Sequence, residues 1–284
     1  MNKTVKVKCP AKINLTLEVL NRREDGFHNI KSIMQLINLY DYLTIKVFSS
    51  DKNEISLRGN SMEIPYDENN IAYKAAELYI KSAKLNNVLI EIYIEKNIPI
   101  AAGLAGGSTD AAGTLLGLNH IFRAFHHSDL NKLCAQLGSD LNVCLNGGCT
   151  LATSRGEVTQ SLPTIKSNVT LIKPKNLGIS AKEAYEKYAL KKFKLQNNMT
   201  EKVLEAMRLQ EDITPFLYND LENAVFDDYA ELQMIKQVYP RAIMSGSGPT
   251  YFLLENLLTS VLDESYQFIN NLKFISTGVS IIED

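Results

Sequence analysis

A change of hydrophobic period near residue 70 constrains the fold more than any other feature. Before it, apolar and polar residues alternate over 5–8, 13–20, 33–39 and 41–48, with Ile13, Leu15, Leu17 and Val19 on one side. A period of two marks half-buried strands. After Asp67-Glu68-Asn69-Asn70 the pattern turns helical: over 71–85, Ala72, Ala75, Ala76, Tyr79 and Ile80 share one face. A strand at 88–94, a glycine loop, and helices at 108–125 and 129–137 follow, the last capped by Ser128 and stopped by Gly138. Strands first and helices later predict an α+β fold rather than a strictly alternating parallel sheet.

The second half predicts a strand at 169–172, helices at 181–188, 200–210 and 221–238, and strands at 242–244 and 251–255 around a second glycine loop. A helix at 262–272 and a strand at 274–282 follow it. At 284 residues the chain exceeds the usual single-domain size, so two domains are expected, 1–162 and 163–284, divided near Leu162-Pro163.

The net charge is −2 and the lysines are scattered, which argues against a nucleic-acid or anionic-membrane partner. No apolar run approaches the roughly 18 residues of a membrane span, and the first residues lack the apolar core of a signal peptide. The expected location is cytoplasmic. Cys9, Cys134, Cys144 and Cys149 form no CxxC pair and have no histidine at zinc spacing, so they read as buried thiols.

Two glycine loops carry the chemistry. The first is Pro99-Ile100-Ala101-Ala102-Gly103-Leu104-Ala105-Gly106-Gly107-Ser108-Thr109, between a strand and a helix. Small residues let several backbone N–H groups converge on one anion, and a helix start favours negative charge there. The loop ends in no Gly-Lys-Ser/Thr, and Ala105 and Ser108 stand at two glycine positions of a dinucleotide fingerprint. It suits a phosphate, or else a glycine turn capping a helix that packs closely through Gly113 and Gly117. The second loop is Met244-Ser245-Gly246-Ser247-Gly248-Pro249-Thr250. Lys12 reads either as a solvated strand-end lysine or as a cation reaching a substrate oxygen. Asp140, after Gly138-Ser139, reads either as a turn cap or as a carboxylate that takes a proton from a hydroxyl.

Taken together these segments resemble the GHMP kinases. Pro10-Ala11-Lys12-Ile13-Asn14-Leu15 is similar to the family's first motif, the 99–112 loop to its second and the 244–250 loop to its third. The segment Arg22-Arg23-Glu24-Asp25-Gly26-Phe27-His28 resembles the branch whose alcohol substrate carries a cytidine diphosphate group. The resemblance implies a two-domain α+β architecture with the active site in the cleft between domains. It implies ATP and Mg²⁺, with ATP on 99–109, Ser108 as a metal ligand, and Asn70 and Lys96 lining the adenine pocket. Lys12 and Asp140 are implied as the catalytic pair. Asn14, Phe27, His28, Tyr185, Gly246 and Ser247 are implied in substrate binding, with the cytosine between Phe27 and Tyr185. The expected activity is transfer of the ATP γ-phosphoryl group to a 2-hydroxyl of that small molecule, by a monomer or homodimer. Two departures bear on this: Asn142 replaces a usual proline and Ala181 a usual hydroxyl residue. A GHMP kinase for another alcohol, or a non-catalytic nucleotide-binding relative, are the competing readings.

Overall fold

The computed structural model describes residues 2–191 and 198–282. The four alternating runs at the start are two long strands, β1 (Asn2–Arg22) and β2 (His28–Ser49), joined by the turn at Asp25-Gly26. Pro10 does not interrupt β1. It sits at a register shift where residues 38 and 39 of β2 have no partner, and a bulge is where a strand tolerates proline. The same shift re-aims the strand just before Lys12.

The chain continues through β3 (Glu54–Gly59), α1 (Ile71–Ser82), β4 (Val88–Glu95), α2 (Gly106–Phe122), α3 (His127–Leu137), α4 (Leu141–Asn146), β5 (Cys149–Ser154) and β6 (Val158–Leu162). It then forms β7 (Asn168–Pro174), α5 (Ala181–Lys191), α6 (Met199–Leu209), β8 (Tyr218–Asn219), α7 (Asp220–Val225), α8 (Ala230–Val238), β9 (Ile243–Met244), β10 (Tyr251–Leu253), β11 (Tyr266–Lys273) and β12 (Ser280–Ile282). One sheet runs β12-β1-β2-β4-β3, with β5 and β6 branching from β2 and β8 parallel to β1; the other runs β11-β7-β10-β9. The α+β expectation holds.

Helix α2 lies close against the first sheet because two of its residues have no side chain. A Cβ on Gly113 would sit 2.4 Å from Cys9 Sγ, and one on Gly117 2.6 Å from Ile45 Cδ1. A second core joins Ala11, Ile13 and Leu15 of β1 to Val169, Leu171 and Phe252 of the other sheet. The four cysteines are buried and free.

The expected helix at 262–272 is a strand, β11, antiparallel to β7. Its register shifts between Ile269 and Leu272, and Asn271 takes a left-handed φ of 58°. That bulge spaces the apolar residues 268, 269 and 272 as a helix would, although Tyr266, Phe268 and Ile269 are strand formers. The expected helix at 221–238 is broken by a tight turn at Phe226–Asp228, after which Tyr229 is extended. Strands β3, β5 and β6 and helix α4 were not expected from the sequence.

Candidate active site

A cavity of about 1220 Å3 opens between the glycine loops, α5 and the β1–β2 turn. A single small-ligand site spans roughly 300–1,000 Å3, so there is room for two ligands. Its lining comes from both halves of the chain.

One end is the 99–109 loop. Ala101, Gly103 and Ala105 take left-handed φ of 48°, 74° and 61°, alternating with ordinary residues, a pattern that turns successive N–H groups to one side. Ala105 is the N-cap of α2 and adopts this conformation without a glycine, a local strain of order 1 kcal/mol or more. The helix begins at Gly106, two residues before its sequence expectation. Thr109 N–H is the first to bond back, to the Ala105 carbonyl at 2.9 Å. The N–H groups of Gly106, Gly107 and Ser108 thus have no partner in their helix, and all three residues line the cavity. This end can hold a polyphosphate.

The second glycine loop presses on the first. Ser245 Oγ donates to the Gly103 carbonyl at 3.1 Å, and a Cβ on Gly103 would fall 2.0 Å from the Ser245 carbonyl oxygen. Buried Asn219, which nothing in the sequence singled out, donates to the carbonyls of Met244 and Gly246 at 2.6 and 2.8 Å and so fixes the loop's path. Lys12 reaches this junction from β1. Its ammonium donates to Asn14 Oδ1 at 2.6 Å and to the Gly103 carbonyl at 3.0 Å, and stands 3.4 Å from Asp140 Oδ2. A Cβ on Gly246 would meet this ammonium at 3.1 Å, so the bare glycine leaves it open to the cavity.

Asp140 precedes α4 but makes no capping hydrogen bond to it. The turn-cap reading of this carboxylate is therefore not realised: it faces Lys12, with a side chain 28% exposed. Asn142, where proline is usual, continues a regular helix and donates to the Glu157 carbonyl at 3.3 Å, leaving the backbone beside Asp140 undisturbed. Ala181 opens α5, whose first turn is capped by Ser180 Oγ, which accepts from Glu183 N–H at 3.1 Å. A buried cation against a half-open carboxylate, beside a phosphate loop, can orient and deprotonate a hydroxyl.

Lys96 and Asn70 also line the cavity, but both are already engaged. Lys96 pairs with Asp41 and, at 2.8 Å, with Asp110. Burial alone would lower its pKa; the two carboxylates outweigh that and raise it. Burial, and then Asp41 beside it, push the Asp110 carboxyl above the usual carboxylate range against the pull of Lys96. Asp41 also accepts from the N–H groups of Asn97 and Ile98. Asp41 was missed, yet it has the parity of buried Leu43, Ile45 and Val47, and a carboxylate on the inward face of a strand is itself a signal. Asn70 caps α1, accepting from Ala72 N–H and donating to the Pro65 carbonyl.

The other end is a wall of rings. His28 and Tyr185 stack with centroids 5.5 Å apart and planes 13° from parallel. Burial, then the charge of Arg22, lower the His28 pKa. Burial, then the Asp140 carboxylate, raise that of the Tyr185 phenol. Phe27 sits on the exposed turn with the Arg155 guanidinium 5.3 Å from its ring centre. The structure brings Phe27, His28 and Tyr185 to one cavity, with Tyr185 stacked on His28 rather than on Phe27.

Residues 70–150 match the GHMP kinases N terminal domain. The chain is 38% identical over 263 residues to the 4-diphosphocytidyl-2-C-methyl-D-erythritol kinase of Clostridioides difficile, covering 87% of this chain and 86% of the relative. The chain belongs to the 4-diphosphocytidyl-2-C-methyl-D-erythritol kinase family. It is an ATP-dependent small-molecule kinase. Another relative with this kinase name, from Prochlorococcus marinus, is 34% identical with 97% of each chain covered. A crystal structure of 4-(cytidine 5'-diphospho)-2C-methyl-D-erythritol kinase superposes with a TM-score of 0.71 at 32% identity, over 89% of this chain and 90% of that one. The mevalonate kinase of Methanococcus jannaschii shares the fold, at a TM-score of 0.73 and 14% identity.

Proposed function

We propose that this protein transfers the γ-phosphoryl group of ATP to the 2-hydroxyl of 4-diphosphocytidyl-2-C-methyl-D-erythritol, a step of the non-mevalonate route to isoprenoid precursors. The observation that carries the reading is the Lys12–Asp140 pair at 3.4 Å, set where the two glycine loops meet. The ATP phosphates lie on the N–H groups of Gly106 to Ser108, with 99–109 around the nucleotide. Asn70 serves that end by capping α1, and Lys96 by tying Asp110 of α2 to Asp41. Asp140 accepts the proton of the attacking hydroxyl, while Lys12 stabilises negative charge on the transferring group. Asn14 orients Lys12. Gly246 and Ser247 give the alcohol room beside it, and Phe27, His28 and Tyr185 form the cytosine end.

Mg²⁺ fits this site as an ion shared with ATP. Among the described residues no group of three His, Cys, Asp or Glu side chains could hold a metal ion. The Ser108 hydroxyl is the hard donor on the loop, the remaining oxygens being those of phosphates. When bound, the ion neutralises charge on the β- and γ-phosphates. We place the enzyme in the cytoplasm, acting as a monomer or homodimer; among the described residues no helix is long and apolar enough to cross a membrane.

The deciding experiment incubates purified protein with ATP, Mg²⁺ and the cytidyl alcohol, and follows ADP release and the site of phosphorylation by phosphorus NMR. The expected product is the 2-phosphate. Turnover of mevalonate or homoserine in place of the cytidyl alcohol would overturn the substrate; ATP binding without turnover of any alcohol would overturn the activity.

A further inference from the structure

The ring-lined wall includes a cation that no motif predicted. Arg155 lies on the turn between β5 and β6, and that turn is rigidly made. The Glu157 carboxylate accepts from Arg155 N–H at 2.8 Å and from Ser154 Oγ at 3.1 Å, and Gly156 takes a φ of 115°, where a Cβ would fall 3.1 Å from Ser139 Cβ. The neighbouring turn is tied to it, because Arg23 Nη1 donates to Ser154 Oγ at 3.1 Å. Phe27 and Arg155 are thus presented together on two joined turns, next to the segment that carries Asp140.

The guanidinium itself is underused. Its Nε is buried without a hydrogen-bond partner among the described residues, and its ion pair with Glu157 is long, at 3.5 Å, to a carboxylate already engaged by the turn. Phe27 supports it as a ring supports a cation, without consuming a donor. The other cations lining the cavity are placed differently. Lys12 is committed to Asn14, Gly103 and Asp140. Arg22 and Lys182 are exposed, and Lys182 stands beside Glu186. A planar fork with unspent donors, fixed on a cavity wall, matches a pyrophosphate better than a base edge.

We infer that Arg155 is a specificity-determining residue whose guanidinium takes the diphosphate of the alcohol substrate, with Phe27 holding it in aim. The inference rests on the proposed cytidyl substrate. Phe27 keeps its place at the cytosine end and supports this cation as well.

The test is calorimetry of CDP and of cytidine, with the ATP site filled by a non-hydrolysable ATP analogue and Mg²⁺, on the wild type, Arg155→Gln and Arg155→Lys. Charge-assisted bonds of this kind imply that Arg155→Gln weakens CDP by about ten- to a hundredfold and cytidine by less than about twofold, with Arg155→Lys between. In turnover, KM for the cytidyl alcohol rises while KM for ATP stays within about twofold. Equal loss of both ligands would assign the residue to the base or to folding, and no loss of CDP would remove it from the site; either overturns the inference. A wild type that binds the ATP analogue but neither CDP nor cytidine would instead overturn the proposed substrate, and the inference with it.

Discussion

The two ends of the cavity are built on different principles. At the proposed nucleotide end the ligand-facing groups are backbone N–H donors, and the nearby charges are already engaged with one another in the Asp41–Lys96–Asp110 cluster. At the substrate end the ligand-facing groups are side chains: the His28–Tyr185 stack, Phe27 and the unspent guanidinium of Arg155. With ATP placed there as proposed, the first end is finished before its ligand arrives and reads only the shape and charge of a polyphosphate. The second leaves its polar groups to the ligand, and so it is where one alcohol is told from another.

The largest effect should come at the seam of the two ends. Asp140→Asn keeps the shape of the site and removes the base, so kcat should fall by about 10²–10⁴. Retention of more than about a tenth of wild-type turnover would take proton transfer away from this residue. Next is Asp41→Ala, which leaves two N–H groups without their acceptor and Lys96 with Asp110 alone. Urea unfolding should show a loss of about 3–5 kcal/mol. A much smaller loss would mean that Asp110 alone can hold Lys96, and the nucleotide end would be less pre-built than described. Tyr185→Ala should raise KM for the cytidyl alcohol by the equivalent of about 1–3 kcal/mol of stacking, with KM for ATP little changed. A parallel rise in both constants would erase the contrast between the ends. The smallest effect is on pH dependence. The folded-state pKa of His28 lies below its ordinary value near 6.5, so the unfolded chain binds more protons in that interval. Its contribution is present above about pH 6.5 and lost as pH falls through the lowered value. Thermal melts between pH 7.5 and 5 should show a shallower loss of Tm for His28→Gln than for the wild type; an identical slope would show that the ring's surroundings do not favour its neutral form.

The same contrast explains what the sequence disclosed. The nucleotide end is one contiguous stretch, 99–109, and its small residues announce the backbone conformations that they permit. Lys12 and Asp140 were legible because each stands within a recognisable string, although Lys12, read as a strand-end residue, lies buried in the middle of β1. Their 3.4 Å approach was not, because it depends on the bulge after Pro10 and on α4 beginning without a side-chain cap. Arg155 and Asn219 stood in no motif, and only the tertiary path of the β5–β6 turn and of the second glycine loop gives them meaning. The fold class followed from periodicity, whereas β11 did not, since two asparagines in a bulge shifted an alternating pattern into helical spacing. Periodicity reports which face is buried, and a bulge changes the face without changing the composition.

Strand β12 carries one further consequence. Ser280, Ile281 and Ile282 pair with Lys8, Val7 and Lys6, so the first half of the strand that delivers Lys12 gains its outer neighbour from residues more than 270 positions away. During synthesis, residues 6–8 leave the ribosome well before 280–282, and their outer edge must wait for that segment to be made. Closing so long a separation is slow because the chain entropy is lost before the contact is gained. An unpaired edge is also an invitation to other nascent chains, and Lys6 and Lys8 set charges along it during that interval. Lys12 thus rests on a sheet whose edge stays incomplete until residue 282 has been added.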